Sequence, residues 1–342
     1  MRSTREAALK VRFHRNVEQI STDLIAAYAL RFEQKDSNLS NPISRWLDFR
    51  FRYIDPMPRP VIYSDRFPKS DLPRATREAL SKLAALARSG GDLNPYQGRG
   101  LILRNDSSGD VSDKRTDLLW ADWGIHHFHL SNEPLPTDRY FSKPADYLAF
   151  CVIAANFLAV VDVLPHGNRE QFANLTLIKT IARCWPDYIK RFEMKGITAD
   201  RNERTQQEIH LLRASGMSAA ITINGASYIS PGGGLTSACT SLKTGMAHIH
   251  LNKCLDALAA DVSDDNGKFR TDEIRGLDVE PEFSLEASPE GLCVYEQRTS
   301  TGFKLPLPDT DTDDRSYYQT IHNLILPPWA CKYLCERAGL SK

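Results

Sequence analysis

Three histidines fall within four positions of this 342-residue chain: His126, His127 and His129, in Asp117-Leu118-Leu119-Trp120-Ala121-Asp122-Trp123-Gly124-Ile125-His126-His127-Phe128-His129-Leu130. Imidazole exchanges protons near neutral pH, so clustered histidines suggest acid/base work or metal ligation. If the segment is a strand, His127 and His129 share a face with Ile125, while His126, Phe128 and Leu130 take the other. Two rings about 7 Å apart on one face suit either chemistry. His166, in Asp162-Val163-Leu164-Pro165-His166-Gly167-Asn168-Arg169, follows an apolar hairpin. It comes near one end of the histidine strand if that hairpin pairs beside it.

Cleaving RNA without a metal needs one group to deprotonate the 2′-OH and another to protonate the leaving 5′-oxygen, and histidine does either. A cation must also neutralise the charge that grows on phosphorus. The candidates are His127 and His129 for proton transfer, His166 as a third, and Arg139 or Arg169 for phosphate. A metal version of the site uses His127-x-His129 with His166, Asp122 or Asp162 around a divalent ion such as Zn or Mn. Neither the helical HEXXH motif nor a Cys-plus-His finger spacing occurs.

Other features point to phosphate or nucleic acid less directly. Arg45, Arg50, Arg52, Arg59 and Arg66 interleave with Trp46, Phe49, Phe51, Tyr53 and Tyr63. Such alternation binds single strands by phosphate contact and stacking, or marks the two faces of an ordinary strand. Arg50 and Arg52 are the candidate nucleic-acid contacts in that stretch. Pro231-Gly232-Gly233-Gly234-Leu235-Thr236-Ser237 precedes an expected helix, but no Gly-Lys-Ser/Thr follows as a P-loop requires. A turn with a Ser/Thr cap is the plainer account. His248 and His250 sit two apart on a helix, on different faces, and read as structural.

The elements that must position these residues follow from periodicity and breakers. Glu6 to Gln34 reads as one long helix, and Trp46 to Tyr53 alternates as a strand. Pro73 to Ser89 is a helix stopped by Gly90-Gly91. Leu118 to Leu130 reads as a strand and Tyr147 to Leu164 as a hairpin of two short strands. Within it, Leu148 to Leu164 is an alternative membrane span, but it is short and carries Asn156 and Asp162. Arg169 to Cys184 is an amphipathic helix, and a short helix resumes after Pro186. Glu203 to Ala214 is helical. Asn224-Gly225 between two short apolar runs predicts a type I′ hairpin. A helix from about Thr236 to Asp261, three strands within Glu282 to Leu307 and a last helix from Pro328 to Ala338 complete the chain.

In the middle of that sequence a family pattern emerges. His127-Phe128-His129-Leu130, then Arg139-Tyr140, then the apolar strands Tyr147 to Val152 and Leu158 to Val163, then His166, resembles RelE-like ribonuclease toxins. The wider group includes the barnase, EndoU and colicin-type nucleases. The resemblance covers about residues 125–170. It implies an endoribonuclease, a toxin or phage-defence effector with RNA as substrate and a neutralising protein as partner.

Composition bounds the reading. Lys+Arg and Asp+Glu both number 43, so the chain is neutral and not a histone-like binder. The charge is uneven: residues 1–70 hold 13 basic and 8 acidic side chains, residues 261–314 hold 5 and 15. An acidic stretch of that kind reads as a solvated surface. The seven cysteines are scattered without a CxxC pair, and Cys151, Cys184 and Cys293 look buried from their neighbours. With no apolar run at Met1-Arg2-Ser3-Thr4-Arg5-Glu6, this predicts reduced thiols in a cytoplasmic protein. The expectation is an α+β fold: a helical N-terminal region with a basic/aromatic strand (1–115), a central antiparallel sheet with helices as the catalytic part (116–200), and a C-terminal hairpin, long helix and short strands with the acidic segment (201–342). The expected function is cytoplasmic cleavage of RNA by histidine catalysis without a cofactor. A non-catalytic nucleic-acid- or protein-binding module and a metal-dependent hydrolase are the alternatives, and no membrane is involved.

Overall fold

The computed structural model describes residues 2–33, 39–104, 116–167, 172–196, 204–307 and 316–337. Along the chain run α1 (Arg2–Ala27), α2 (Pro42–Arg52), β1 (Val61–Tyr63), α3 (Arg74–Ser89), α4 (Gly100–Leu103), α5 (Leu118–Trp123) and β2 (Ile125–His129). Then come β3 (Tyr147–Ile153), β4 (Leu158–Pro165), α6 (Leu175–Cys184), α7 (Pro186–Lys190), α8 (Gln206–Ala214), β5 (Ile221–Ile223) and β6 (Ala226–Tyr228). The last elements are α9 (Leu242–Val262), α10 (Asp272–Arg275), β7 (Phe283–Ser288), β8 (Gly291–Glu296), β9 (Thr301–Lys304), α11 (Tyr317–Ile325) and α12 (Pro328–Arg337). The fold is α+β, with three small sheets among the described residues.

Two compact units emerge, with boundaries after Arg50 in α2 and after Lys243 in α9. The first joins residues 1–50 to 244–342, and the second is the contiguous stretch 51–243. The divisions read from sequence at 115 and 200 both fall inside the second unit.

The second unit is built on a four-stranded sheet of order β1-β4-β3-β2, antiparallel except for the β1–β4 pair. Its strands alternate so that both faces are apolar. One face carries Ile125, Phe150, Val152 and Val161 and packs on Leu177, Ile178 and Ile181 of α6. The other carries Phe128, Cys151, Val160 and Val163 and packs on Leu80, Leu83 and Ala87 of α3. Burial on both faces explains why 148–164 reads as a continuous apolar run: it is a sheet-core hairpin, and no helix is long and apolar enough to cross a membrane among the described residues. The Asn224-Gly225 turn forms as expected, with φ of 51° and 79°, and closes the small β5–β6 sheet.

The first unit pairs its two chain segments. In α1, Asn16 accepts from the Leu285 backbone in β7 at 3.1 Å. Tyr28, Trp46, Phe49, Trp329 and Tyr333 form one aromatic cluster, and the Trp46 indole N–H donates to the Leu324 carbonyl at 3.0 Å. β7, β8 and β9 form an antiparallel meander.

Two expected strands are corrected. Residues 46–52 belong to a helix, α2, whose start is marked by Asn41 accepting from the Ile43 and Ser44 backbones, with Pro42 at the first helical position. Its Trp46 and Phe49 are buried three residues apart, the helical spacing, while Leu47, Phe49 and Phe51 recur at every second position and so mimic a strand. Residues 118–130 split: Leu118–Trp123 is helix, ended by Gly124 at φ 69°, and only Ile125–His129 is strand. The long helix at the start stops at Ala27, short of Gln34. Helix α9 begins at Leu242, so the glycine segment does not open a helix; a bridge between Leu235 and Ser241 intervenes. Those glycines serve packing instead. A Cβ at Gly232 would stand 2.3 Å from the Trp120 carbonyl oxygen, so only glycine admits the loop against the end of α5. Of the cysteines, Cys151 is buried as expected, but Cys184 and Cys293 are partly exposed, while Cys254 and Cys331 are buried.

Candidate active site

The histidine face is assembled by β2, β3 and the turn after β4. In the antiparallel register His127 pairs with Phe150 and His129 with Leu148, while Leu148 pairs onward with Leu164. The hairpin therefore brings the turn that follows Pro165 beside the end of β2. There the His129 and His166 rings stand 5.3 Å apart between centroids, tilted by 53°. The His166 backbone N–H donates to the Asp146 carbonyl at 2.6 Å, which ties this turn to the start of β3.

The three rings differ in environment. His166 is exposed, His129 is half-buried and His127 is only 7% exposed. Burial, joined by the charges of His127 and His166, pushes the His129 ring down to about 4. His129 therefore offers a free base at neutral pH. Its Nδ1 is buried without a hydrogen-bond partner. The His127 ring meets Phe172 edge-on at 5.2 Å. Its Nδ1 lies 3.4 Å from Asp117 Oδ2, close enough for ion pairing though outside hydrogen-bond geometry.

Asp117 was not read from the sequence as part of this site. Its other carboxylate oxygen accepts from the Trp120 backbone N–H at 3.0 Å and so caps α5. The signal was present: an Asp just before an apolar run that ends in Gly is a helix start and stop. Reading the whole run as strand concealed it.

His126 points to the opposite face, as alternation requires. Its Nδ1 is 3.4 Å from Gln97 Oε1, and burial, helped by the charges of His127, Arg52, Lys243 and Arg59, pushes it down to about 3. Arg52 is buried and acts on His126 rather than on the His129 face. Arg50 belongs to the first unit, where it donates to the Asn323 carbonyl at 3.2 Å and lies over the Trp329 ring. Arg139 is exposed and pairs with its neighbour Asp138 at 3.5 Å; among the described residues no contact joins it to the three histidines. Arg169 lies outside the described residues.

Neighbouring charges are structural. Asp122, Arg213 and Ser230 form a buried network: Arg213 donates to Asp122 at 2.7 Å, stacks 4.0 Å over the Trp123 ring, and Ser230 donates to the same carboxylate. Asp162 is buried in β4 and paired with Lys69 and Arg66. Neither stands as a ligand beside the histidines: among the described residues no group of three or more His, Cys, Asp or Glu side chains could hold a metal ion. His248, expected to be structural, is engaged with the Ser44 hydroxyl at 2.8 Å.

Comparison of the chain with protein-family models, with curated proteins and with solved structures finds no match.

Proposed function

We propose that the second unit is a metal-independent endoribonuclease whose acid/base pair is His129 and His166. The observation that carries this reading is the approach of the two imidazoles to 5.3 Å, one half-buried and depressed, the other open to solvent. Like charges at that separation disfavour double protonation, so the pair favours one proton-bearing ring and one free base. That is the state RNA cleavage needs. His129 takes the 2′-OH proton, the 2′-oxygen attacks phosphorus, and the protonated His166 gives its proton to the departing 5′-oxygen. The products are a 2′,3′-cyclic phosphate and a 5′-OH end. The imidazolium also supplies positive charge beside the phosphorane. His127, expected from sequence to transfer protons itself, stands behind the pair. Acting in the cytoplasm, such an enzyme would behave as a toxin or phage-defence effector and require a neutralising protein.

The test is incubation of the purified full chain with single-stranded RNA in EDTA, with product ends identified by mass spectrometry. Cyclic-phosphate ends, and loss of roughly 100-fold or more in rate for His129→Ala and for His166→Ala, are expected. Intact RNA with the folded wild-type protein would remove the reading.

A further inference from the structure

We propose that Asp117 is a positioning residue of this site, acting through the His127 ring to set which imidazole of the face stays unprotonated. The inference rests on the acid/base reading above and goes one layer behind it. Asp117 is held rigidly: one carboxylate oxygen is engaged by the Trp120 N–H, and α5 passes through Gly124 straight into β2. Its second oxygen is thereby fixed 3.4 Å from His127 Nδ1. The His127 and Asp117 side chains are 7% and 9% exposed, so water screens the contact weakly. A carboxylate at that distance attracts any positive charge placed on the imidazole it faces. His127 shares its face with His129 two residues on, about 7 Å away, and charge on the first ring opposes charge on the second.

Among the described residues, the titratable groups that face His129 are His127 on its own strand and His166 on the turn after β4. Those that face His127 are Asp117 at the head of α5 and, through the sheet, His126. From β3 the facing partners Phe150 and Leu148 are apolar. Asp117 is the acidic member of this set. Its direct field would favour protonation of His129. Its effect relayed through His127 opposes it. The two have opposite signs, so removing the charge tells them apart.

Asp117→Asn keeps a good helix cap and removes the charge. The full chain, labelled with carbon-13 at histidine, is titrated by NMR with the His129 resonance followed. The relay predicts that His129 titrates higher in Asp117→Asn than in wild type, by roughly half a unit or more. His127→Gln should raise it similarly, and the double variant should add nothing to His127→Gln alone. A downward or absent shift of His129 in Asp117→Asn, or additive effects in the double variant, would overturn the proposal. In cleavage assays the acid limb of the kcat/KM profile should move up in pH by the same amount as the resonance. The titration needs no RNA, so a wild type that fails to cleave removes the ribonuclease reading and leaves this coupling to stand or fall by itself.

Discussion

A half-buried imidazole ties stability to pH. His129 sits at about 4 when folded, chiefly through burial, and about 6.5 is usual for an unfolded chain. Between those values the unfolded chain binds a proton that the folded one does not. The contribution is therefore complete above about pH 6.5 and is lost as pH falls toward 4. His126, down to about 3 for the same main reason, acts in the same direction. The melting temperature is expected to fall from pH 7 to pH 4.5, with His129 accounting for on the order of 2 kcal/mol. His129→Gln should flatten that slope in circular-dichroism melts; an unchanged slope would show that the ring is better solvated than its position implies. At this scale the sequence was informative in part. Alternation placed His127 and His129 with Ile125 correctly, and the hairpin delivered His166. It gives no measure of depth, so nothing in it separates the buried His127 from the half-buried His129. Arg50 and Arg52 looked alike by spacing, yet they fall in different units.

Elements in this fold are held by caps and buried networks more than by propensity. The Asp122–Arg213–Ser230 network joins α5, α8 and the segment after β6, with Arg213 also donating to the Phe172 carbonyl. Removing one partner strands a buried charge. Asp122→Ala is expected to cost about 3–5 kcal/mol in urea denaturation, far more than an exposed pair such as Arg74–Glu78 contributes. A loss below about 1 kcal/mol would mean that water reaches Arg213. Legibility followed the same line. The Asn224-Gly225 hairpin and the β7–β9 meander were readable because turn chemistry is local. Helix α2 was not, because a run of aromatics alternating with arginines satisfies two periods at once, and the deciding Asn41-Pro42 start reads equally well as a break. Helix α11 shows that a short element can lie hidden in plain chemistry: only nine residues carry its period, and the signal that marks it is the Ser316–Gln319 capping box at its start.

On the scale of the molecule the chain order matters. The second unit is contiguous, with both faces of its main sheet covered by its own helices α3 and α6. A fragment of residues 51–243 is expected to unfold cooperatively and to keep the His129–His166 contact, observed as a cross-peak between the two rings. A fragment of residues 1–243 should leave its first 50 residues susceptible to protease, because α1 takes its partners from β7, α11 and α12. Protection of α1 in that shorter chain would contradict the division into units.

That arrangement imposes an order on biosynthesis. The ribosome makes α1, with Phe13, Val17 and Leu24 destined for burial, well before its partners β7, α11 and α12. At about 5–20 residues per second, that helix stays without those partners for tens of seconds, while the intervening unit has time to close behind it. Nascent chains stalled before residue 283 should recruit holdase chaperones through that uncovered stripe, and chains released at full length should not.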